Sequence, residues 1–480
     1  MLGDKLTVLQ MNDSHAYLDI HQELFWDGDH AKYQLAGGYA RIATIFNQIR
    51  EENPKTLAFD CGDTIHGTYS VVKTRGENLI PILNYLRFDA MTAHWEFAYG
   101  PNNFKKLTKK LNYPVLAINC YQESNNKLFF KPWIIKEVAN IRIGIIGIAA
   151  TIVDKVMPPS FSEGIYFTLG HEELLGYIEK LRKEEKVDLI VVISHLGFPQ
   201  EMKLAGEVEG IDILLSAHTH NRLYEPAMVN NTILIQSGCH GSFIGRLDLD
   251  VSGGKVTNYQ YELINVSEDI RPDPVVQNMV RNILDPYEDK LSEVVGYTDT
   301  GLNRNTVLES TMDNFLLKGL LSETDAQIAF SNGWRYGAPV VPGKITLNDL
   351  HNIIPVNPPV CTVELSGKEI WTMMEENLEH LFSRNPYNQM GGYLKRCMGI
   401  NLYFKVENPQ GQRIQEIFVK GKKMKANETY KAAYMTSQGV PSHYGKNRNS
   451  EGLNAIELLK NYLSKNKTIK AEIQGTVIAI

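Results

Sequence analysis

The chain has 480 residues and a formal net charge of -6, with 43% hydrophobic and 22% charged residues. This length accommodates two or three domains, and the composition is that of an ordinary packed globular protein. The slightly acidic balance gives no electrostatic sign of a nucleic-acid partner. No nucleic-acid partner is expected, and an anionic small molecule would have to be bound by a local arrangement of residues.

The cysteines and the N-terminal stretch bear on the cellular compartment. The five cysteines are scattered and form no CxxC pair, so a disulfide framework is not expected. No charged stretch followed by an apolar run and a cleavage site begins the sequence, and no apolar run reaches the ~20 residues that span a membrane. We therefore expect a cytoplasmic protein with no membrane partner, while export of a longer, processed form stays open.

Three apolar, β-favouring runs in the first part of the chain end in potential metal ligands. Residues 6–11 lead into Asp13 and His15. Residues 56–60 lead into Asp63, which has a glycine before it and another four residues after it. A short run that ends at residue 92 is followed by His94. An amphipathic helix is predicted after the first of these runs, with apolar residues from 42 to 49 on one face.

Two later runs follow the same pattern. Residues 189–193 form a buried-strand pattern that ends in His195, and residues 211–215 lead into His218 and His220. Ligands gather at the carboxyl ends of strands in open α/β sheets, so these seven side chains are expected to converge. Two carboxylates and five imidazoles suit two divalent cations, and the mixed N/O set favours Mn²⁺, Zn²⁺ or Fe²⁺ over Ca²⁺. The sequence leaves the choice among these metals open, with Mn²⁺ or Zn²⁺ expected first.

The order of these motifs resembles the calcineurin-like metallophosphoesterases, specifically the 5'-nucleotidase and UDP-sugar hydrolase family. The matching segments are Asp13-Ser14-His15, Gly62-Asp63, Glu96-Phe97, Ser194-His195-Leu196-Gly197 and His218-Thr219-His220. The resemblance implies a four-layered α/β/β/α domain over residues 1–265, a linker helix over 266–292 and an α/β substrate-binding domain over 293–480. It also implies that Asp13, His15, Asp63 and His220 hold one metal. Asp63, His94, His195 and His218 would hold the other, with Asp63 shared.

One motif departs from the family pattern. Trp95 stands where the family has a histidine that stabilises the transferring phosphoryl group, and Ala98 stands where it has the aspartate that orients that histidine. His94 replaces an asparagine ligand. The His-Trp-Glu-Phe version resembles the sulfur-oxidation thiosulfohydrolases. We hypothesise that His66, on the turn that presents Asp63, supplies the missing catalytic cation; the alternative is an outer histidine that orients a ligand.

The second half shows weaker motifs of the family's C-terminal domain. Asn332 and Arg335 lie in a loop similar to Asn-Gly-Gly-x-Arg, and Arg335 is the best candidate for binding a phosphate or carboxylate. Arg396 is a second candidate for the anion. Tyr393 and Tyr444 could stack on a base, although the loop around Tyr444 matches the family poorly. Only three of the thirteen histidines lie beyond residue 240, so no second metal site is expected there.

Three functions follow from these observations. The first is metal-dependent hydrolysis of phosphate esters, as in a 5'-nucleotidase or UDP-sugar hydrolase, by a metal-activated hydroxide. The second is hydrolysis at a sulfur centre, because a sulfonyl group carries less negative charge and needs a cationic histidine less. The third is a non-catalytic, metal-dependent binding protein. The sequence does not determine the substrate or the oligomeric state.

Overall fold

The structure is a computed structural model that describes residues 4–138 and 140–480. Its strands are β1 (Asp4–Met11), β2 (His21–Asp27), β3 (His30–Ala36), β4 (Thr56–Asp60), β5 (Ala90–Met91), β6 (Cys120–Gln122), β7 (Trp133–Val138), β8 (Ile141–Ile148), β9 (Ile165–Phe167), β10 (Leu189–Ser194), β11 (Ile213–Leu215), β12 (Ala227–Val229), β13 (Thr232–Ile235), β14 (Phe243–Ser252), β15 (Lys255–Asn265), β16 (Val294–Thr298), β17 (Ile328–Gly333), β18 (Gly343–Thr346), β19 (Cys361–Ser366), β20 (Tyr393–Met398), β21 (Ile400–Phe404), β22 (Ile414–Val419), β23 (Lys422–Lys423), β24 (Thr429–Tyr434), β25 (Lys446–Asn449), β26 (Thr468–Ile469) and β27 (Val477–Ala479).

The α-helices are α1 (Tyr39–Glu52), α2 (Tyr69–Lys73), α3 (Ile80–Leu86), α4 (Pro101–Thr108), α5 (Val153–Val156), α6 (His171–Lys183), α7 (Phe198–Glu207), α8 (Pro274–Leu284), α9 (Glu288–Leu291), α10 (Thr311–Ser322), α11 (Leu347–Ile353), α12 (Gly367–Phe382) and α13 (Ala455–Asn466). Short 3-10 helices cover Glu77–Leu79, Trp95–Tyr99, Pro159–Phe161, Asp285–Tyr287 and Pro386–Asn388. In the described part of the chain, no helix is both long and apolar enough to cross a bilayer.

Contacts divide the chain into two compact units. The first comprises the chain up to His21 together with Leu35–Pro286, and the second comprises Gln22–Gln34 and Tyr287–Ile480. The division therefore falls later than residue 265. The helix α8 belongs to the first unit, because it buries Val276 and Val280 and packs with α1 and α3. The hairpin of β2 and β3 groups with the second unit, which the sequence did not indicate.

The first unit is built on two sheets that share one apolar core. One sheet has the order β15-β14-β1-β4-β5, with β1, β4 and β5 parallel. The other has the order β12-β13-β11-β10-β8-β7, with β8, β10, β11 and β13 parallel. Val8 and Phe59 from the first sheet lie in the same buried cluster as Ile145 and Val191 from the second.

Helices complete the layers of this unit. Leu174 and Leu181 of α6 and Leu204 of α7 pack on the outer face of the second sheet, against Ile190 and other apolar residues. The helices α1, α3 and α8 pack together as a further layer. The expected two-domain α/β architecture is thereby confirmed.

The parallel strands place their carboxyl ends together. Met11 pairs with Asp60, and Asp60 pairs with Met91, so β1, β4 and β5 end level with one another. Ile193 and Leu215 pair at the ends of β10 and β11. The loops that leave these five strands therefore emerge at matching edges of their sheets, as the sequence pattern predicted.

Besides the two-stranded sheet of β2 and β3, the described part of the second unit contains sheets in the orders β20-β17-β24-β19-β25, β18-β16-β26 and β23-β22-β21-β27. The helix α12 begins with a capping box, in which the Ser366 hydroxyl accepts from the backbone of Glu369 and the Glu369 carboxylate accepts from the backbone of Ser366. Ile370 and Met374 of this helix pack on Val363 of β19 in the core of the unit.

Candidate dinuclear metal centre

The structure brings all seven predicted ligands together in two adjacent groups. Within each group the donor atoms lie within 4.8 Å of one another. One group contains Asp63, His94, His195 and His218; the other contains Asp13, His15 and His220. We refer to them as the four-ligand group and the three-ligand group; the first is one of the ligand sets that the resemblance implied, and the second is the other set without the shared Asp63.

Asp63 connects the two groups through a single oxygen atom. Its Oδ2 lies 3.0 Å from His94 Nδ1, 3.3 Å from His195 Nε2 and 3.9 Å from His15 Nε2. The other oxygen, Oδ1, accepts a 2.7 Å hydrogen bond from the backbone N–H of Trp95. The carboxylate is thus fixed by the backbone on one side and faces imidazoles from both groups on the other.

Asp13 has a similar position in the three-ligand group. Its Oδ1 lies 3.3 Å from His220 Nε2 and 3.6 Å from His195 Nε2. Its Oδ2 accepts hydrogen bonds from the Asn12 side chain, at 2.8 Å, and from the backbone of His218, at 2.9 Å. Asn12 was not singled out from the sequence, although an asparagine beside a strand-end aspartate was a visible signal.

The backbone around these ligands is unusual. Five of the seven, Asp13, His15, Asp63, His218 and His220, have φ values between 46° and 71°, in the left-handed region. A non-glycine residue there costs roughly 1–2 kcal/mol, and such residues cluster at functional sites. A concentration of left-handed residues at one edge of the first unit is a structural reason to regard these residues as a site.

The protonation chemistry of the site fits bound cations. Burial opposes ionisation of Asp63, but the charges of His94 and His195 outweigh it and hold the pKa of Asp63 well below its ordinary value. Burial lowers the pKa of His15 to about 3, so its ring is neutral at neutral pH. Burial disfavours a charged His195, yet Asp63 and Asp13 raise its pKa to about 10, which shows that two carboxylates favour positive charge at this point.

Several buried atoms also lack other partners. Among the residues the structure describes, no hydrogen-bond partner is found for Asp13 Oδ1, His94 Nε2 or His195 Nε2. A buried polar group without a partner is costly unless a ligand satisfies it. The opposite nitrogen of His195, Nδ1, donates to the Cys61 carbonyl at 2.6 Å, which turns Nε2 toward the carboxylates. The donor set therefore fits a pair of divalent cations.

Glu96 anchors the backbone of the two loops that carry Asp63 and His94. Its buried carboxylate accepts from the backbone N–H groups of Asp63, Thr64 and Ile65, at 3.3, 2.7 and 3.2 Å, and from that of His94, at 2.7 Å. One side chain thus fixes the loops after β4 and β5. Glu96 was matched to the family motif, but its role could not be derived from the sequence.

His66 lies in an aromatic group beside the four-ligand group. Its ring stacks on Trp95, with centroids 4.8 Å apart and an angle of 13°, and its Nδ1 lies 3.1 Å from the Tyr99 hydroxyl. The ring of Phe161 packs edge-on against Trp95, with centroids 5.7 Å apart. Burial lowers the pKa of His66 to about 4, so an uncharged ring stands where the sequence suggested a cation.

The structure corrects the sequence-based role of Arg396. This arginine is buried; its Nε donates to Asp313 at 3.0 Å, and its Nη1 and Nη2 donate to the carbonyls of Val307 and Thr306. Asp313 also accepts from Arg304 at 3.0 Å. A guanidinium with these partners stabilises the interior of the second unit and is not available for a substrate anion.

The structure also corrects the base-stacking role suggested for Tyr444, because this residue is only 7% exposed and belongs to the apolar core of the second unit. The side-chain amide of Asn332 donates a hydrogen bond from Nδ2 to Gln438 Oε1, and its Oδ1 accepts one from the Thr436 hydroxyl. Arg335 and Tyr393 are half-buried and adjacent, with the guanidinium carbon 5.4 Å from the ring centroid. These two residues stay predictions as substrate-binding groups.

Comparisons with known proteins agree with this geometry. A family model described as calcineurin-like phosphoesterase matches residues 6–222, and one described as 5'-nucleotidase, C-terminal domain matches residues 292–437. The chain is 26% identical over 481 residues to the trifunctional nucleotide phosphoesterase protein YfkN of Bacillus subtilis. That match covers 89% of this chain but 31% of the relative, so the chain spans about a third of that protein.

Two solved structures have a very similar fold. The sulfate thiohydrolase SoxB of Thermus thermophilus matches with a TM-score of 0.93 at 23% identity, over 100% of this chain and 97% of that one. A 5'-nucleotidase precursor, also from Thermus thermophilus, matches with a TM-score of 0.87 at 22% identity, over 99% of both chains. By the family models, the chain carries a calcineurin-like phosphoesterase domain within residues 6–222 and a 5'-nucleotidase-type C-terminal domain within residues 292–437, and the two solved structures share its fold.

Proposed function

We propose that this protein is a metal-dependent hydrolase of phosphate esters, of the 5'-nucleotidase or UDP-sugar hydrolase type. The observation that carries the proposal is the position of Asp63 Oδ2, which faces imidazoles of both ligand groups within 3.9 Å. The four-ligand group and the three-ligand group would each hold one divalent cation, with Asp63 shared. Imidazole and carboxylate donors favour Mn²⁺ or Zn²⁺, with Fe²⁺ as a further candidate.

Residues of this chain supply the metal ligands for this reaction and hold them in position. When bound, two divalent cations activate water and stabilise the charge of a phosphoryl group that is transferred in line. Asp13 and Asp63 offer ionised oxygens, and His15 offers a neutral ring, which are the protonation states that metal binding needs. Glu96, Asn12 and the Cys61 carbonyl hold these donors in place. Arg335 would bind an anionic part of the substrate, which we propose to be a nucleotide or another phosphate ester.

A substrate panel tests the proposal. The purified protein, loaded with Mn²⁺ or with Zn²⁺, would be incubated with nucleoside monophosphates, UDP-glucose and a thiosulfonate, and released phosphate and sulfate would be measured together. Phosphate release that disappears with a chelator and returns with metal is the expected result. Bound metal without turnover of any of these compounds would instead support a binding protein.

A second candidate is hydrolysis at a sulfur centre, and Trp95 favours it. Trp95 and Ala98 replace the histidine and aspartate that the family uses at a phosphoryl group, and the uncharged His66 does not restore a cation. A sulfonyl centre carries less negative charge than a phosphomonoester, which carries roughly 1.5 to 2 charges near neutral pH. Sulfate release with little phosphate release in the same panel would establish this candidate in place of the first.

A further inference from the structure

Glu201 is a fully buried carboxylate outside the two ligand groups. It lies in the first turn of α7, which starts just after the loop that carries His195. A carboxyl group buried in such a position is rare unless it is paired or has a defined structural task. No metal ligand is itself bonded by this carboxylate in the contacts found for the described residues.

The two oxygens of Glu201 join two different loops. Oε1 accepts a 3.1 Å hydrogen bond from the backbone of Leu196, which follows His195. Oε2 accepts a short hydrogen bond from the hydroxyl of Ser216, two residues before His218. Both His195 and His218 belong to the four-ligand group. One carboxylate thus joins the segments that follow β10 and β11, close in sequence to two imidazoles whose donor atoms lie within 4.8 Å of each other.

Ser216 extends this connection to two further strands. Its hydroxyl accepts from Gln236 Nε2 at 2.7 Å, just after β13, and its carbonyl accepts from Gln10 Nε2 at 2.7 Å, in β1. The Ser237 hydroxyl closes the network by donating to Gln10 Oε1 at 2.8 Å. A buried network in which these groups are paired fixes their positions strongly.

We propose that Glu201 is a positioning residue that sets the spacing of His195 and His218, and thereby the affinity of the four-ligand group for its cation. The inference rests on the proposed function, since it concerns the same centre. Outer partners of metal ligands typically contribute 10–100-fold to metal affinity. The three-ligand group has a separate support in the Asn12 side chain, which donates to Asp13, so cation binding there should be affected less.

The test uses Mn²⁺ titration of the metal-free protein, residues 1–480, by calorimetry. Wild type should bind two Mn²⁺ ions. Glu201→Gln should weaken one of the two binding events by about 10–100-fold and leave the other within a few-fold. Hydrolysis by this variant should recover at high Mn²⁺ with an unchanged KM. Glu207→Gln, on the same helix but exposed and paired with Lys203, is the matched control and should behave as wild type.

A second variant keeps the inference testable if Glu201→Gln does not fold. Ser216→Ala removes only the hydroxyl that reaches Glu201 and should weaken the same binding event. When both variants fold, their combination should cost less than the sum of the two, because they interrupt one connection. If every variant that folds binds two Mn²⁺ ions with the affinities of the wild type, this inference is overturned. The proposed function is not affected by that result. A wild type that binds no Mn²⁺, Zn²⁺ or Fe²⁺ would overturn the proposed function.

Discussion

The backbone N–H of Trp95 donates a 2.7 Å hydrogen bond to Oδ1 of Asp63. This bond fixes the carboxylate with its other oxygen toward the imidazoles of both ligand groups. Because the donor is the main chain, a different side chain at position 95 can keep the bond. A substitution at position 95 can therefore change the side chain next to His94 while the hydrogen bond to Asp63 is kept.

Because this bond does not depend on the side chain at position 95, we can predict the effect of restoring the family's histidine at position 95 and its aspartate at position 98. The double variant Trp95→His/Ala98→Asp should retain two metals per chain and raise kcat on a phosphomonoester by about 10²-fold, the value of one transition-state donor. Phosphate release at saturating substrate is the measurement. Trp95→His alone should give a smaller gain, because nothing orients the new imidazole. A double variant with intact metal content and no gain would show that Trp95 does not limit phosphate chemistry.

Removing the shared ligand should affect both cations. Asp63→Asn keeps the shape of the side chain but loses the charge, so we expect metal content to fall from two ions to at most one. Hydrolysis should fall by more than about 100-fold, the upper range for partners outside the ligand set. Metal analysis after dialysis checks this prediction, with Asp29→Asn, at a fully exposed position, as the control. Two tightly bound ions in Asp63→Asn would exclude a shared role.

The structure also predicts how much the His66→Gln substitution should change the rate. Since its ring is neutral and stacked on Trp95, His66→Gln should lower kcat on a phosphomonoester by less than about tenfold, whereas loss of general acid or base catalysis costs 10²–10⁴-fold. Steady-state kinetics at several pH values would measure this. A larger loss would restore the catalytic role suggested by the sequence.

Arg396 and Arg335 should give opposite results. Arg396→Ala leaves Asp313 with one arginine fewer in the interior and should lower the free energy of unfolding by about 3–5 kcal/mol, with KM unchanged in the folded fraction. Arg335→Ala should raise KM for an anionic substrate and change stability little. Urea unfolding and kinetics on both variants, with the exposed Arg384→Ala as control, distinguish the two roles. A raised KM in Arg396→Ala at unchanged stability would reverse the assignment.

The raised pKa of Asp60 predicts that the free energy of unfolding depends on pH. Burial, together with the charge of Glu96, raises the pKa of this carboxyl to about 7. Between about pH 4 and 7 the folded state then holds a proton that the unfolded state has lost, so this group's contribution falls by up to about 1.4 kcal/mol per pH unit as pH rises. Asp60→Asn should remove this fall. Urea unfolding of the metal-free protein at pH 5, 6 and 7 compares the slopes; equal slopes in wild type and variant would contradict the prediction.

The ligands could be predicted from the sequence because each follows a strand whose apolar pattern is strong. Asp13, Asp63 and His195 needed only the rule that parallel strands end together. Glu96 and Glu201 could not be assigned roles in the same way, because their partners are backbone N–H groups and a serine on loops whose conformation the sequence pattern does not give. Arg396 shows the opposite error: a strand arginine beside a glycine-rich loop resembled an anion ligand, and its buried partner Asp313 lies far away in sequence.

The left-handed backbone at Asp13, His15, Asp63, His218 and His220 bears on how metal is acquired. These conformations are maintained by the strands, by the hydrogen bond that Asn12 donates to Asp13 and by those that Glu96 accepts from the loop backbone, so the chain has met the conformational cost during folding. An arriving ion would then have little rearrangement to drive, and most of its binding free energy would be retained as affinity.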